Sequence, residues 1–581
     1  MIKYKLFLKN PASHYIYVDL VIDNIKSDSL QLQLPAWRPG RYELGNFAKN
    51  IKRVDAFDAD GKVLEYTKLT KDLWVINTKG VSEIKITYSY FANELNAGAC
   101  FADETQLYVN PVHLFMYVPN RMHEEHTIEL DIPANYKIAC QINSEGKTLT
   151  AKNFDELADS PFIASAGIKT DYYEVNGIKF YLHFNGECQP DFEKIKKHFV
   201  AFTKTEINFW NGFPVDEYHF LFQVLPIKFY HGVEHQKSTV IVLGPGYHLN
   251  EGKTYDDLLG VSAHELFHCW NIKYIRPHEM LPYDFTKENY SRTGYVYEGF
   301  TTYYGDVMLR KSNVFSDEQY FETLEDRLNK HFHNYGRFNL SVADSSWETW
   351  LDGYVQGAPY RKTSIYDEGN LIAFMLDVLI LKNTQNKKSL KDVCRVLFNE
   401  FGKKDKGYTE QDVIKLCEDI AEISLKDFFK KFVYGTEDFE PMLIECFEYV
   451  GLEMKKIANT HLSESNFGFK VAEQAHITKV TLVAPYSPAW NAGISVGDEI
   501  MTINSCDIKN DLNNWLQHFC QRHPSEKNPE VILTVSSQGK VKTISLQSKV
   551  GITYFDNHKI VFKNPVSPNQ KTNYAKWILE N

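Results

Sequence analysis

His264 and His268 bracket Glu265-Leu266-Phe267, and this spacing restricts the local structure more tightly than any other feature of the chain. Residues four apart share a face only on a helix, so the two imidazoles meet at one point only if the segment is helical. Two nitrogens placed in this way supply half of a tetrahedral zinc site, and Glu265 then stands beside a bound water. Zinc lowers the pKa of that water from about 15.7 to near 7, so a neighbouring carboxylate can complete its activation. The competing reading is a helix carrying two incidental histidines.

The pair needs a third ligand. In the three-histidine class a further histidine follows six residues after the second; here that residue is Tyr274, and His278 lies ten residues on. In the class with a glutamate ligand, a second helix presents it. Glu298-Gly299-Phe300-Thr301-Thr302-Tyr303-Tyr304 has helix-like aromatic spacing. Glu279 and Glu288 are the alternatives, in a stretch that Pro277, Pro282 and the polar residues before Ser291 mark as loop. Three protein ligands leave the open position that catalysis requires. Cys269 adjoins the motif but faces away from the 264/268 side, and reads as a small buried side chain.

At 581 residues the chain exceeds one core, and two to four domains are expected. The hydrophobic share of 43% describes a globular protein, and a net charge of −11 argues against a nucleic-acid surface. The longest apolar run, around Phe374 to Leu381, is interrupted by Asp377 and falls short of a bilayer span. Met1-Ile2-Lys3-Tyr4-Lys5 lacks the apolar core of a signal peptide, and nine cysteines form no CxxC pair. Both point to a reducing, cytoplasmic setting; a secreted form with its leader removed is the alternative.

The expected fold class is α+β and multidomain. From residue 1 to about 170, Ile2, Tyr4, Leu6 and Leu8, then Leu30, Leu32 and Leu34, alternate with other residues. That period predicts an antiparallel β-sandwich. Pro35 to Tyr42 breaks the alternation and reads as a Pro-fixed structural turn around a buried Trp37. Residues 171–455 form a mostly helical unit, opened by a helix from Phe192 to Trp210 and strands from Tyr218 to Val224 and from Ser238 to Leu243. Thr409 with Asp412, and Ser424 with Asp427, have capping-box spacing, and Gly435 stands where a C-terminal glycine belongs. Residues 456–550 form a third unit, and 551–581 a polar, strand-poor tail packed through Trp577 and Ile578.

Two resemblances follow. In the third unit, Asn466-Phe467-Gly468-Phe469 and Ala492-Gly493-Ile494-Ser495-Val496-Gly497-Asp498-Glu499-Ile500 resemble a PDZ domain. Such a domain would take a C-terminal peptide by strand addition, or would merely pack on its neighbour. His264 to Pro277 (HELFHCWNIKYIRP), with Glu298 to Tyr304 (EGFTTYY) and Leu34 to Tyr42 (LPAWRPGRY), resembles the glycyl aminopeptidase family of zinc peptidases. That family is similar in catalytic fold to thermolysin-like enzymes.

The resemblance implies a zinc ion on His264, His268 and Glu298, with Glu265 as general base. It implies that Gly232, Glu234 and His235, in His231-Gly232-Val233-Glu234-His235, bind the substrate, with Glu234 on its free α-amine. His231 replaces the family's first glycine. Tyr366, in Tyr366-Asp367-Glu368-Gly369, resembles an oxyanion donor, with Glu368 in place of a lysine and Tyr360 as the backup donor. The implied reaction removes an N-terminal residue, glycine or alanine by preference, from a peptide with a free amine. The alternatives are a zinc endopeptidase that docks substrates on the PDZ unit, and a non-catalytic PDZ binding protein.

Overall fold

The computed structural model describes residues 1–355, 357–508, 510–522, 530–549 and 551–580. The N-terminal part is sheet-rich. Ile2–Leu8 turns Ile2, Tyr4 and Leu6 into a core shared by three sheets of seven, four and three strands. Leu30 and Leu32, on Ser29–Gln33, face the same core. The expectation of a purely antiparallel arrangement needs one correction. Ile2–Leu8 pairs antiparallel with Tyr15–Ile22 but parallel with His126–Asp131. A parallel neighbour can be far away in sequence, so alternation alone does not reveal it.

A five-stranded sheet follows, in the order Lys169–Val175, Ile178–Gly186, Glu217–Val224, Ser238–Gly244, Phe229–Glu234. Its inner pairs are parallel and its two outer pairs antiparallel. Helix Phe192–Trp210 makes the parallel crossover. Asp191 caps its start, accepting from the Lys194 amide, and left-handed Asn211 ends it. The last strand, Phe229–Glu234, lies at the sheet edge against helix Gly252–Phe267.

The rest of this part is helical. Asp367–Asn383 runs through its centre with Leu371 to Leu376 fully buried. A helix covered on all sides has no polar face, which accounts for the long apolar run. Asp377 within it is satisfied by the Tyr303 hydroxyl at 2.7 Å and the Leu390 amide at 2.8 Å. Thr409 and Asp412 make both capping-box bonds, at 2.9 and 3.2 Å. Ser424 and Asp427 do not. Ser424 donates instead to Glu418 at 2.9 Å, and the helix that follows spans only Lys426–Phe428. Gly435 serves close approach rather than a left-handed cap, since a Cβ there would stand 2.6 Å from the Lys430 carbonyl oxygen.

The C-terminal part has its own apolar core, built from Phe467, Phe469, Val480, Ile500, Leu516 and Leu533 among others. The tail carries one strand, Asn557–Phe562, which pairs antiparallel with Leu452–Ile457, so the chain enters and leaves this unit along one ribbon. Trp577 and Ile578 are buried, and the Trp577 indole donates to Tyr303 at 2.7 Å. Residues 550 and 581, the ends expected for the last two units, lie outside the described residues. Among the described residues no helix is long and apolar enough to cross a membrane, and all nine cysteines are free thiols.

Candidate active site

Helix Gly252–Phe267 carries His264 and Glu265, and His268 follows as its C-cap. The His264 and His268 Nε2 atoms stand 3.1 Å apart. Glu298 comes from a π-helical turn, Tyr295–Phe300, that runs into helix Thr301–Lys311. Its Oε2 lies 3.3 Å from His268 Nε2 and 3.9 Å from His264 Nε2. Such turns widen a helix locally and are frequent at functional sites. Gly299 lets this one lean on the central helix, because a Cβ there would stand 2.4 Å from the Gly369 Cα. Glu279 is exposed, Glu288 partly so, and neither joins the cluster.

The surroundings orient these groups. The Asn271 carbonyl oxygen, 2.8 Å from His268 Nδ1, turns Nε2 toward Glu298. The Tyr42 hydroxyl donates to Glu298 Oε1 at 2.8 Å. Cys269 points elsewhere, its thiol 3.3 Å from the Gln236 carbonyl oxygen.

Electrostatics favour a cation at this point. Burial, and then neighbouring His268, keep the His264 pKa well below its usual value, so its ring is neutral and free to ligate. Burial works the same way on His268, but Glu298 and Glu234 outweigh it and raise its pKa to about 10. Burial raises the Glu265 carboxyl well above the ordinary range. Glu234 Oε1 and Glu265 Oε2 are buried without a hydrogen-bond partner. Three carboxylates thus converge on two histidines, of which His264 remains partly exposed, and a divalent cation with nitrogen and oxygen ligands suits that donor set.

Edge strand Phe229–Glu234 closes one side. Gly232 is there for clearance, since a Cβ would stand 2.2 Å from Glu265 Oε1 and 2.7 Å from Val261 Cγ2. Glu234 is 4% exposed, and one of its oxygens groups with Glu265 and His268 within 4.8 Å. His235 departs from expectation. Its Nδ1 is 3.1 Å from Asp159 Oδ1, which also holds Lys273 Nζ at 2.7 Å, so the ring belongs to an ionic contact with the N-terminal part. Strand alternation sends neighbours to opposite faces, which separates His235 from Glu234.

Tyr366 stands at the N-cap of the central helix with its hydroxyl 3.0 Å from that of Tyr354. Burial, then the charge of Glu298, raises the Tyr366 pKa well above 10, so the phenol stays protonated and able to donate. Tyr360 is not a backup donor here. Its left-handed backbone (φ 56°) sets the ring edge-on to Tyr335, in a cleft shared with Lys470 and Leu482. Tyr354, not Tyr360, meets the Tyr366 hydroxyl. Glu368, the lysine substitute, pairs with buried His331 at 2.7 Å.

The segment from Pro35 to Tyr42 is more than a structural turn. Trp37 is buried, as expected, and its indole donates to the Asp284 carbonyl oxygen at 2.6 Å. Yet the same segment brings Tyr42 onto Glu298, and a Cβ on Gly40 would stand 2.5 Å from Glu234 Oε2. Sequence reasoning missed Tyr42, Gly40 and Tyr354. The available signal was Pro39-Gly40 between two arginines, a type II turn pattern on a segment rich in binding side chains.

Residues 3–166 match the Peptidase M61 N-terminal domain, and residues 257–372 match the M61 glycyl aminopeptidase domain. The fold is similar to that of an aminopeptidase N family protein from Idiomarina loihiensis, with a TM-score of 0.91 and 25% identity over 100% of both chains. An M1 zinc metallopeptidase from Deinococcus radiodurans gives a TM-score of 0.44 and 12% identity over 75% of this chain and 94% of that one. Comparison with curated proteins found no match.

Proposed function

Taking this chain as a metallopeptidase that carries both segments of the Peptidase M61 family, we propose that it is a zinc-dependent aminopeptidase that hydrolyses the N-terminal peptide bond of peptides. One observation carries the reading: His264, His268 and Glu298 converge beside Glu265, and Glu234 faces the same point from the edge strand. His264, His268 and Glu298 would hold the ion. When bound, zinc supplies Lewis acidity, acidifying water and polarising a carbonyl.

The protein's own groups do the rest. Glu265 takes the proton of the attacking water and later delivers it to the leaving amine. Glu234 pairs with the substrate ammonium, and so fixes which bond lies over the base. Tyr366 donates to the carbonyl oxygen as negative charge develops there. Such a donor is worth about 3 kcal/mol, or roughly a hundredfold in kcat. Tyr366→Phe should therefore lower kcat about a hundredfold, whereas Tyr360→Phe should leave it within twofold. Steady-state kinetics on one arylamide separates the two tyrosines, and equal effects would remove the assignment of Tyr366.

The ranges 171–455 for the thermolysin-like catalytic unit, 456–550 for a PDZ-like unit and 551–581 for the tail belong to the same reading. The PDZ assignment is supported by the separate core around Phe467 and Phe469 and by the edge position of Phe469–Gln474. The deciding experiment is metal analysis of the purified protein, together with hydrolysis of glycyl and alanyl arylamides with and without N-acetylation. One zinc per chain and rapid cleavage of the free-amine substrates, with the acetylated ones cleaved only slowly, are expected. Cleavage indifferent to acetylation would favour an endopeptidase. No zinc and no turnover would leave the binding-protein alternative.

A further inference from the structure

Helix Val342–Asp352 ends at Gly353, which takes a positive φ of 49° that glycine adopts without strain. This turn seats on the N-terminal part, because a Cβ on Gly353 would stand 2.2 Å from Glu43 Oε2. The residue it delivers is Tyr354. The Arg41 guanidinium lies over the Tyr354 ring, 4.9 Å from its centroid. The Tyr354 hydroxyl stands 3.0 Å from that of Tyr366.

Two phenols in contact share one hydrogen bond, and only one of them donates it. If Tyr366 were the donor, its proton would be engaged before a substrate carbonyl arrived. A third group sets the direction. The Tyr42 main-chain amide donates to the Tyr354 oxygen at 3.5 Å, and among the described residues it meets no other acceptor. An amide N–H can only donate, and a buried one left unpaired costs free energy. The Tyr354 oxygen is therefore taken as an acceptor, and its own proton goes on to the Tyr366 oxygen. Tyr366 then keeps its proton for the substrate. Tyr42 is a firm anchor for this chain. It is 1% exposed, its ring packs against Tyr297 and Trp350, and its hydroxyl donates to Glu298 at 2.8 Å.

We propose that Tyr354 is a positioning residue for the oxyanion donor: held by the Tyr42 amide, it donates to Tyr366 and so turns the Tyr366 proton toward the substrate carbonyl. This rests on the aminopeptidase reading and on the part Tyr366 plays in it. Tyr354 touches no reacting atom itself. The donors run in one sense from the Tyr42 amide through Tyr354 to Tyr366, and hydrogen bonds in such a chain polarise one another. One residue of the N-terminal part thus reaches both halves of the site, Glu298 through its side chain and Tyr366 through its amide.

The test is a double-mutant cycle on the zinc-loaded full chain, with glycyl and alanyl arylamides as substrates. Tyr354 is 41% exposed, and phenylalanine keeps its ring beneath Arg41, so the substitution removes the hydroxyl alone. Tyr354→Phe should lower kcat about 3–10-fold, the range of one neutral hydrogen bond, with KM and zinc content unchanged. On a Tyr366→Phe background the same substitution should leave kcat unchanged, because the proton it orients is already gone. A kcat unchanged or raised by Tyr354→Phe alone overturns the inference, since a Tyr366 that donated to Tyr354 would be released by the substitution. Effects that multiply in the double variant overturn it too, because Tyr354 would then act without Tyr366. If Tyr366→Phe itself leaves kcat unchanged, the donor assignment falls and this inference with it. A wild type that hydrolyses no arylamide removes the aminopeptidase reading as a whole.

Discussion

Glu265→Gln is expected to retain one zinc per chain while kcat falls by roughly 10²–10⁴-fold, the range for loss of a positioned general base. The substitution keeps the shape of the side chain, and Gly232 leaves room for it because no Cβ crowds Oε1. An amide cannot accept the proton of an attacking water. The three groups proposed to hold the ion are untouched, so metal analysis should give the wild-type stoichiometry. Retained zinc with lost turnover distinguishes a failed base from a collapsed site, and comparable turnover in the variant would overturn the mechanism. Metal-free protein offers a second readout. Burial holds the Glu265 carboxyl well above its unfolded value, so its contribution to stability is greatest below the unfolded pKa of about 4.3 and is lost as pH rises through the folded pKa. Metal-free wild type should therefore lose melting temperature relative to the glutamine variant as pH is raised above about 4.3.

The histidine pair was legible because helical period converts sequence spacing directly into spatial proximity. Glu298 was legible for the same reason, one helix further on, although its π turn was not. The strand ending at Glu234 was legible only through the resemblance of His231 to His235 to a family motif. The missing groups share a different property. Tyr42 and Gly40 reach Glu298 and Glu234 across the boundary between the N-terminal sheets and the helical part, and no local period encodes which turn meets which cluster. Tyr354 and Tyr360 lie six residues apart in a chain with 35 tyrosines. The backbone is left-handed at Tyr360, whose ring goes to Tyr335, while Tyr354 meets Tyr366, and no sequence period marks that difference. Ser424 was misread because Glu418, at the end of the preceding helix, competes successfully for its hydroxyl.

Glu234→Ala should lower kcat/KM for free-amine substrates by about two to four orders of magnitude and leave the slow cleavage of N-acetylated ones unchanged. Truncating one member of a buried charge pair costs about 3–5 kcal/mol, because the remaining charge is left without an answer. Here that remaining charge is the substrate ammonium, so the loss appears only when the substrate carries one. A structural role would reduce both substrates alike. A rival explanation comes from the cluster itself, because an oxygen of Glu234 lies within 4.8 Å of ligand atoms of Glu265 and His268. If Glu234 ligated the metal, its removal would weaken zinc binding and depress every substrate together. Zinc affinity measured by competition with a chelator, on the same preparations, tells these apart. An unchanged affinity with a collapsed ratio of free to acetylated substrate is the result expected of an ammonium anchor. An unchanged ratio would release the register of cleavage from Glu234 and leave a hydrolase that accepts bonds away from the chain terminus.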